Sequence, residues 1–143
     1  DIPGEVVLQT VNCDHWVLKA ASEGRSDQFY PKELAGRQQF AFPPVCRLAV
    51  LRFQHKNPNR VSQLANQIAV ELQKKHGGYQ GIALIGPCEA PMSKIKNYYR
   101  WHILLKGSSV REIRTAIETA KAYIERSKTT VQFALDIDPL HLW

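Results

Sequence analysis

Between Arg60 and His76 the apolar residues Val61, Leu64, Ala65, Ile68, Ala69 and Leu72 recur at i, i+3, i+4 and i+7, the spacing of one helical face. Gly77-Gly78 then supplies a helix stop. Ser109-Val110-Arg111-Glu112 is a capping box, in which the Ser109 side chain serves the N3 amide and Glu112 reaches back to the cap. The helix it opens is expected to run to Arg126, with Val110, Ile113, Ile117, Ala120 and Ile124 on one stripe. Around these helices lie β-branched and aromatic runs that predict strands: Val45–Gln54, Gly81–Ile85 broken by Gly86-Pro87, Tyr98–Lys106, and Val131–Ile137 ended by Asp138-Pro139. The order β-α-β-β-α-β predicts an α+β fold of the split-βαβ, ferredoxin-like kind. In it a four-stranded antiparallel sheet carries two helices on one face, and the other face is expected to stay open.

Ahead of that rhythm, Glu5–Thr10 reads as a short strand whose sheet neighbours are expected to be missing, leaving it poorly anchored, and Asp14–Ser22 as a short helix, followed by a Gly24-Arg25-Ser26 linker. Asp27 is expected to cap a helix over Gln28–Phe40, with Phe29, Leu34 and Phe40 on one side and Pro43-Pro44 stopping it. We expect one domain over 27–143, with its βαββαβ core at 45–138, preceded by the end of another domain over 1–26. The start at Asp1-Ile2-Pro3-Gly4, with no initiator Met, fits a chain cut from a longer protein.

Charge sharpens this division. The 143 residues carry a formal +6 and a pI of about 9.4, which favours a polyanionic partner. Residues 1–26 hold four acids and two bases, so the remainder carries +8 and is where a polyanion is expected to bind. With 44% hydrophobic residues the chain can bury a core. Cys13, Cys46 and Cys88 are scattered and odd in number, which argues for a reducing compartment over a disulfide framework. Cys13-Asp14-His15 lacks the second ligand pair that a metal needs. No run of 18 or more apolar residues and no leader pattern is present, so a soluble protein that is not exported is expected.

Catalytic motifs are missing. There is no G-x-x-x-x-G-K-[ST] phosphate loop, no G-x-S-x-G elbow, no H-E-x-x-H, and no zinc-deaminase signature. No catalytic residue, metal or cofactor is therefore expected within this chain, and no ATP hydrolysis. Asp136 and Asp138 are read as strand-end and turn residues.

The informative segment is Ala90–Lys106, which holds Lys94, Lys96, Arg100 and Lys106, no acid, and the aromatics Tyr98, Tyr99 and Trp101. Cations neutralise phosphates and aromatic faces stack on bases, the pairing that single-strand binders use. Lys94 and Lys96 are expected in a loop between two strands. In the following strand Tyr98, Arg100, His102, Leu104 and Lys106 alternate onto the open face, while Tyr99, Trp101, Ile103 and Leu105 face the helices. The candidate nucleic-acid contacts are therefore Lys94, Lys96, Tyr98, Arg100 and Lys106.

Gly86-Pro87-x-x-Ala90-Pro91 followed by Tyr99-Arg100-Trp101-x-x-Leu104-Leu105-Lys106 resembles the C-terminal domain of primosomal protein N′ (PriA), the bacterial replication-restart helicase family. Gly4-Glu5-Val6-Val7-Leu8-Gln9-Thr10 resembles the strand after that family's last helicase motif. Phe29-Tyr30-x-x-Glu33-Leu34-x-x-Arg37 and Phe42-Pro43-Pro44-x-x-Arg47-Leu48 resemble the entry to its C-terminal domain, and Leu135-Asp136-Ile137-Asp138-Pro139 its closing strand. Phe42, where a Tyr is expected, and the Leu140-His141-Leu142-Trp143 tail depart from the pattern.

The resemblance implies a C-terminal domain similar in fold to a small-ribosomal-subunit protein, preceded by the end of the second helicase lobe. It implies binding to single-stranded and branched DNA, and a part in docking the tail of the single-stranded-DNA-binding protein. For that tail, Arg111 and Arg114 at i, i+3 are the candidate grip. Other primosome proteins and the helicase core of the same parent chain are further implied partners, in bacterial cytoplasm at the nucleoid. The parent would be an ATP-dependent 3′–5′ DNA helicase whose ATP, Mg and structural Zn lie outside this chain. Two rival readings stand beside this one. A brace for the helicase lobes would need apolar contact on the open face. A free-standing RNA-binding domain of the same topology would need several aromatics there, and only Tyr98 is offered.

Overall fold

A computed structural model describes residues 4–77 and 81–140; the expectations for Asp1–Pro3, Gly78 and His141–Trp143 lie outside them. The chain forms two compact units, residues 1–40 and 41–143, whereas the sequence reading drew its division at Ser26.

In the first unit, α1 (Trp16–Ser22) and α2 (Ser26–Gln39) are joined through Gly24, whose φ of +67° turns the chain between them. The expected linker is thus shortened, and Ser26 already belongs to α2. Asp27 is not the cap: the N-cap position is Arg25, and Asp27 stands in the first turn, where its carboxylate meets the positive end of the helix. Trp16 stacks on Phe29 at 5.5 Å between ring centroids, and Lys32 Nζ lies 4.5 Å over the Trp16 ring. The expected Glu5–Thr10 strand does not form. Its residues are outside any regular element, and Val6 and Val7 are 86% and 83% exposed. A strand exists only as one side of a ladder, and none of the described residues pairs with this segment.

The second unit runs β1 (Arg47–His55), α3 (Pro58–His76), β2 (Ile82–Ile95), β3 (Tyr98–Gly107), α4 (Val110–Ser127) and β4 (Gln132–Ile137). Its sheet has the order β2-β3-β1-β4, with every neighbouring pair antiparallel. Each helical crossover therefore steps over one intervening strand, which is the expected split-βαβ arrangement. Asn57 caps α3, its side chain accepting from the amides of Asn59 and Arg60, with Pro58 pre-set at the first turn. The Ser109–Glu112 box caps α4 in both directions.

Alternate residues of β1 and β3 meet the two helices. Ala49, Leu51, Phe53, Ile103 and Leu105 are buried against Val61, Leu64, Ile68 and Leu72 of α3 and Ile113, Ala116 and Ile117 of α4. Val110, the first residue of α4, leaves the expected stripe and is 61% exposed, and the buried face of the helix is Ile113, Ala116, Ile117 and Ala120.

One strand is longer than the sequence suggested. β2 does not stop at Gly86-Pro87 but continues to Ile95, passing the cis Gly86-Pro87 bond through a register shift between Ile85 and Cys88. An edge strand tolerates this: proline's missing N–H is harmless where no ladder partner awaits it, and a bulge absorbs the extra residue.

Candidate nucleic-acid interface

The expected loop around Lys94 and Lys96 is a tight hairpin. β2 and β3 pair as far as Lys94↔Tyr99 and Ile95↔Tyr98, leaving Lys96 and Asn97 as a two-residue turn with φ of 47° and 66°. Two consecutive left-handed residues are the signature of a type I′ turn, whose twist matches the strands it joins. Lys94 is thus a strand residue, and its amine lies 4.9 Å from the Tyr99 ring centroid on the helix-side face. Lys96 stands at the tip. Arg100 is on the opposite face from Lys94, its guanidinium donating to the Met92 carbonyl at 3.3 Å. The two lysines therefore do not project side by side: Lys94 and Arg100 flank the hairpin on opposite faces, and Lys96 lies at its tip.

Lys56, just past β1, joins this end of the sheet with its amine 5.8 Å from the Tyr98 ring centroid. Sequence reasoning missed it, because it lies some forty residues away from the basic segment and only the β1–β3 register, His55↔Tyr99, brings it alongside. Lys106 is not part of the cluster. Six residues along β3 from Arg100 place it about 20 Å away, where its amine sits 4.8 Å over the Phe42 ring. Of the five candidate contacts, Lys94, Lys96, Tyr98 and Arg100 come together, and Lys106 does not.

The alternation expected for β3 holds: Tyr99 and Trp101 pack against the core while Tyr98, Arg100 and His102 share the far face. That face also carries Arg52 and Gln54 of β1 and Gln132 and Ala134 of β4, aligned as Arg52↔His102, Arg52↔Ala134, Gln54↔Arg100 and Gln54↔Gln132. It is not open along its whole length. Leu48 and Val50 are buried on it, and Cys46, ahead of them, donates its thiol to the Ala41 carbonyl at 2.7 Å. Asp136 and Asp138 have the structural roles expected. Asp136 pairs with Arg52 at 3.2 Å, and Asp138 pairs with Arg47 at 2.6 Å and accepts from the Leu48 amide.

The partner-binding pair separates. The Arg114 guanidinium donates to Glu118 at 2.9 Å, one turn on. Arg111 instead borders a cleft of about 520 Å³ between the end of α3 and the start of α4, with Lys75, His76, Ile82 and Thr115. The spacing i, i+3 set both on one exposed side, but the favourable i, i+4 carboxylate took Arg114 away. Among the described residues no three His, Cys, Asp or Glu side chains gather to hold a metal. His15 of the Cys13-Asp14-His15 run caps α1, accepting from the Val17 amide.

Two imidazoles are held below the usual histidine range, His102 by burial and then by the Arg52 and Arg100 guanidiniums, His76 by burial and by Lys75. Below the ordinary value of 6.5 the unfolded chain thus binds more protons than the folded one. Stability from these groups is whole above that pH and is lost as the pH falls through the folded values. The urea midpoint is expected to drop between pH 7.5 and about 5.5, and less so in a His102→Leu variant. A midpoint that does not move in that window would contradict it.

Comparison with known proteins gives one consistent answer. Residues 38–140 match the family described as primosomal protein N C-terminal domain. The chain is 32% identical to the replication restart protein PriA of Haemophilus influenzae over 143 residues, which is 99% of this chain and 19% of that protein. Identity is 29% to PriA of Synechocystis and 24% to PriA of Bacillus subtilis, over 98% and 96% of this chain and 16% and 17% of those proteins. The chain thus spans less than a fifth of the length of these relatives. Among solved structures, a de novo designed protein, Foldit4, shares the fold with a TM-score of 0.52 at 10% identity, over 67% of this chain and 99% of its own.

Proposed function

The chain belongs to the primosomal protein N C-terminal domain family, and on that premise we propose that it is the DNA-binding module of a replication-restart helicase, engaging single-stranded and branched DNA. The observation that carries this reading is the convergence of Lys56, Lys94, Lys96 and Arg100 with Tyr98 at one end of the sheet. Cations on both faces of a narrow hairpin suit a flexible strand that wraps its tip, and Tyr98 gives a ring on which a base can stack. The side chains that the register sets beside Tyr98 on the far face, Arg52, Gln54, Arg100 and Gln132, are polar, which favours this over a brace for helicase lobes, which would need apolar contact there. A single aromatic on that face likewise disfavours an RNP-type RNA binder.

Titration of the chain against single-stranded, duplex and forked DNA at two salt concentrations tests the proposal. Tighter binding to single-stranded and forked DNA, with a steep salt dependence, is expected. Equal and salt-independent binding to all three would refute it. The ATP, Mg and Zn of the parent helicase belong, on this reading, to segments outside this chain.

A second observation supports the docking of single-stranded-DNA-binding protein. The cleft beside Arg111 is lined by two cations, Arg111 and Lys75, and by one carboxylate, Glu112, which is engaged by the Ser108 hydroxyl and the Ser109 amide, and it has room for the end of an acidic peptide tail. Arg111→Ala is expected to weaken an acidic tail peptide about tenfold or more, the worth of one charge-assisted hydrogen bond, whereas Arg114→Ala, already spent on Glu118, changes little. Isothermal titration with both variants decides this, and an Arg114 effect equal to that of Arg111 would count against the cleft.

A further inference from the structure

The sheet face turned away from the helices holds a depression of about 200 Å³ that shares only Arg100 with the hairpin cation cluster. The small residues Ala90 and Ala134 leave room in it among the long side chains of Arg52, Gln54, Arg100 and His102, which occupy neighbouring positions of β1 and β3. Phe53, Trp101 and Phe133 also contribute to its lining. At roughly 30 Å³ per water the space equals about six or seven waters, which is the scale of one planar heterocycle and too small for a drug-sized ligand. We propose that this depression is a subsite for a single unstacked nucleobase, seated over Ala134 between Arg52, Arg100 and His102. The inference rests on the DNA-binding reading above and assigns a base to the strand held at the hairpin.

The chemistry of the lining selects for a neutral, flat ligand. The Arg52 charge is matched by Asp136 at 3.2 Å, and Arg100 already donates to the Met92 carbonyl, so little net charge is left for a dianion inside the depression. Guanidinium and imidazole planes are surfaces on which a base stacks. The Nδ1 atom of His102 is buried there with no hydrogen-bond partner among the described residues. A buried orphan of this kind persists where a ligand or water completes it, and base edges supply both donors and acceptors. At the rim, Gln54 donates to Gln132 at 2.6 Å, an amide pair able to exchange one bond for a base edge. Arg100 belongs to both sites, so a strand held by the hairpin cations passes the mouth of the depression without a gap.

Ala134 is solvent-exposed on the edge strand, so Ala134→Leu fills the depression without disturbing the core. Affinities of the original chain and of Ala134→Leu are compared for a thymidine oligomer and for an abasic sugar-phosphate oligomer of equal length and charge. The original chain is expected to prefer the base-bearing strand, and Ala134→Leu to lose roughly five- to a hundredfold of that preference, the worth of one stacked base. The salt slope read in the same titrations reports the phosphate contacts separately. An undiminished preference in Ala134→Leu, with a normal salt slope, overturns the subsite, leaves the DNA-binding reading standing and hands this face to a protein neighbour. Failure of both oligomers to bind the original chain overturns the DNA-binding reading and the subsite with it.

Discussion

Replacing Lys94 and Lys96 together by Ala is expected to flatten the salt dependence of single-stranded DNA binding by about 1.4 units of log affinity per log salt. Each phosphate neutralised on a single strand contributes about 0.7 to that slope through counterion release. At 0.1 M salt the double variant therefore loses roughly 25-fold in affinity relative to 1 M, where the electrostatic part has faded. The loss should be the same for every sequence, since an ammonium on a phosphate reads no base. The geometry adds a finer expectation. Lys94 lies over the Tyr99 ring on one face of the hairpin and Lys96 stands at its tip, so the two reach different phosphates and their single effects should add. Fluorescence anisotropy across a salt series measures all of this. Loss confined to one sequence would point to base readout, and an unchanged slope would remove the hairpin from the interface.

Phe53→Ala is expected to lower the unfolding free energy by about 3–5 kcal/mol. Phe53 is 1% exposed in the second half of β1, belongs to the core cluster beneath the helices, and meets Phe133 of β4 at 5.6 Å between ring centroids. Its removal leaves a hole that neither neighbouring strand can close, because β1 is held in register by β3 on one side and β4 on the other. A domain of this size has about 5–15 kcal/mol in all, so the variant should be partly unfolded near body temperature. Urea titration followed by circular dichroism measures the change. A loss under about 1 kcal/mol would mean that the core collapses around the gap, contrary to its close packing.

Much of the second unit was legible because its local signals agree with its tertiary needs. The apolar period of α3 and the capping box of α4 act within a few residues, and they reappear as helices over Pro58–His76 and Val110–Ser127. Alternation along β3 likewise told which residues face the helices, since a period of two has only two outcomes. The Gly86-Pro87 pair misled because proline is a breaker only where a ladder needs its N–H. Whether a strand lies at an edge is a property of the sheet, and β2 does lie there. The Glu5–Thr10 segment has the composition of a strand, but composition supplies no partner, and with the partners missing as expected it stays outside any ladder.

The candidate site divides along the same line. Its charges, its aromatics and the kinship with the primosomal family are written in the order of residues, and the cations of one segment needed no structure to be seen. Which of them act together is a matter of register and turn length. A two-residue turn put Lys94 and Arg100 on opposite faces, six strand positions carried Lys106 to the far end, and pairing of β1 with β3 brought in Lys56. The depression over Ala134 was invisible for the same reason. Its lining comes from β1, β2, β3 and β4, residues far apart in the chain that become neighbours only when antiparallel strands hydrogen-bond in one register. Sequence determined the helices and the strand faces, because those follow from spacings of a few residues. Only the tertiary structure decided which cations cluster and where the cavity lies, because those follow from contacts across the sheet.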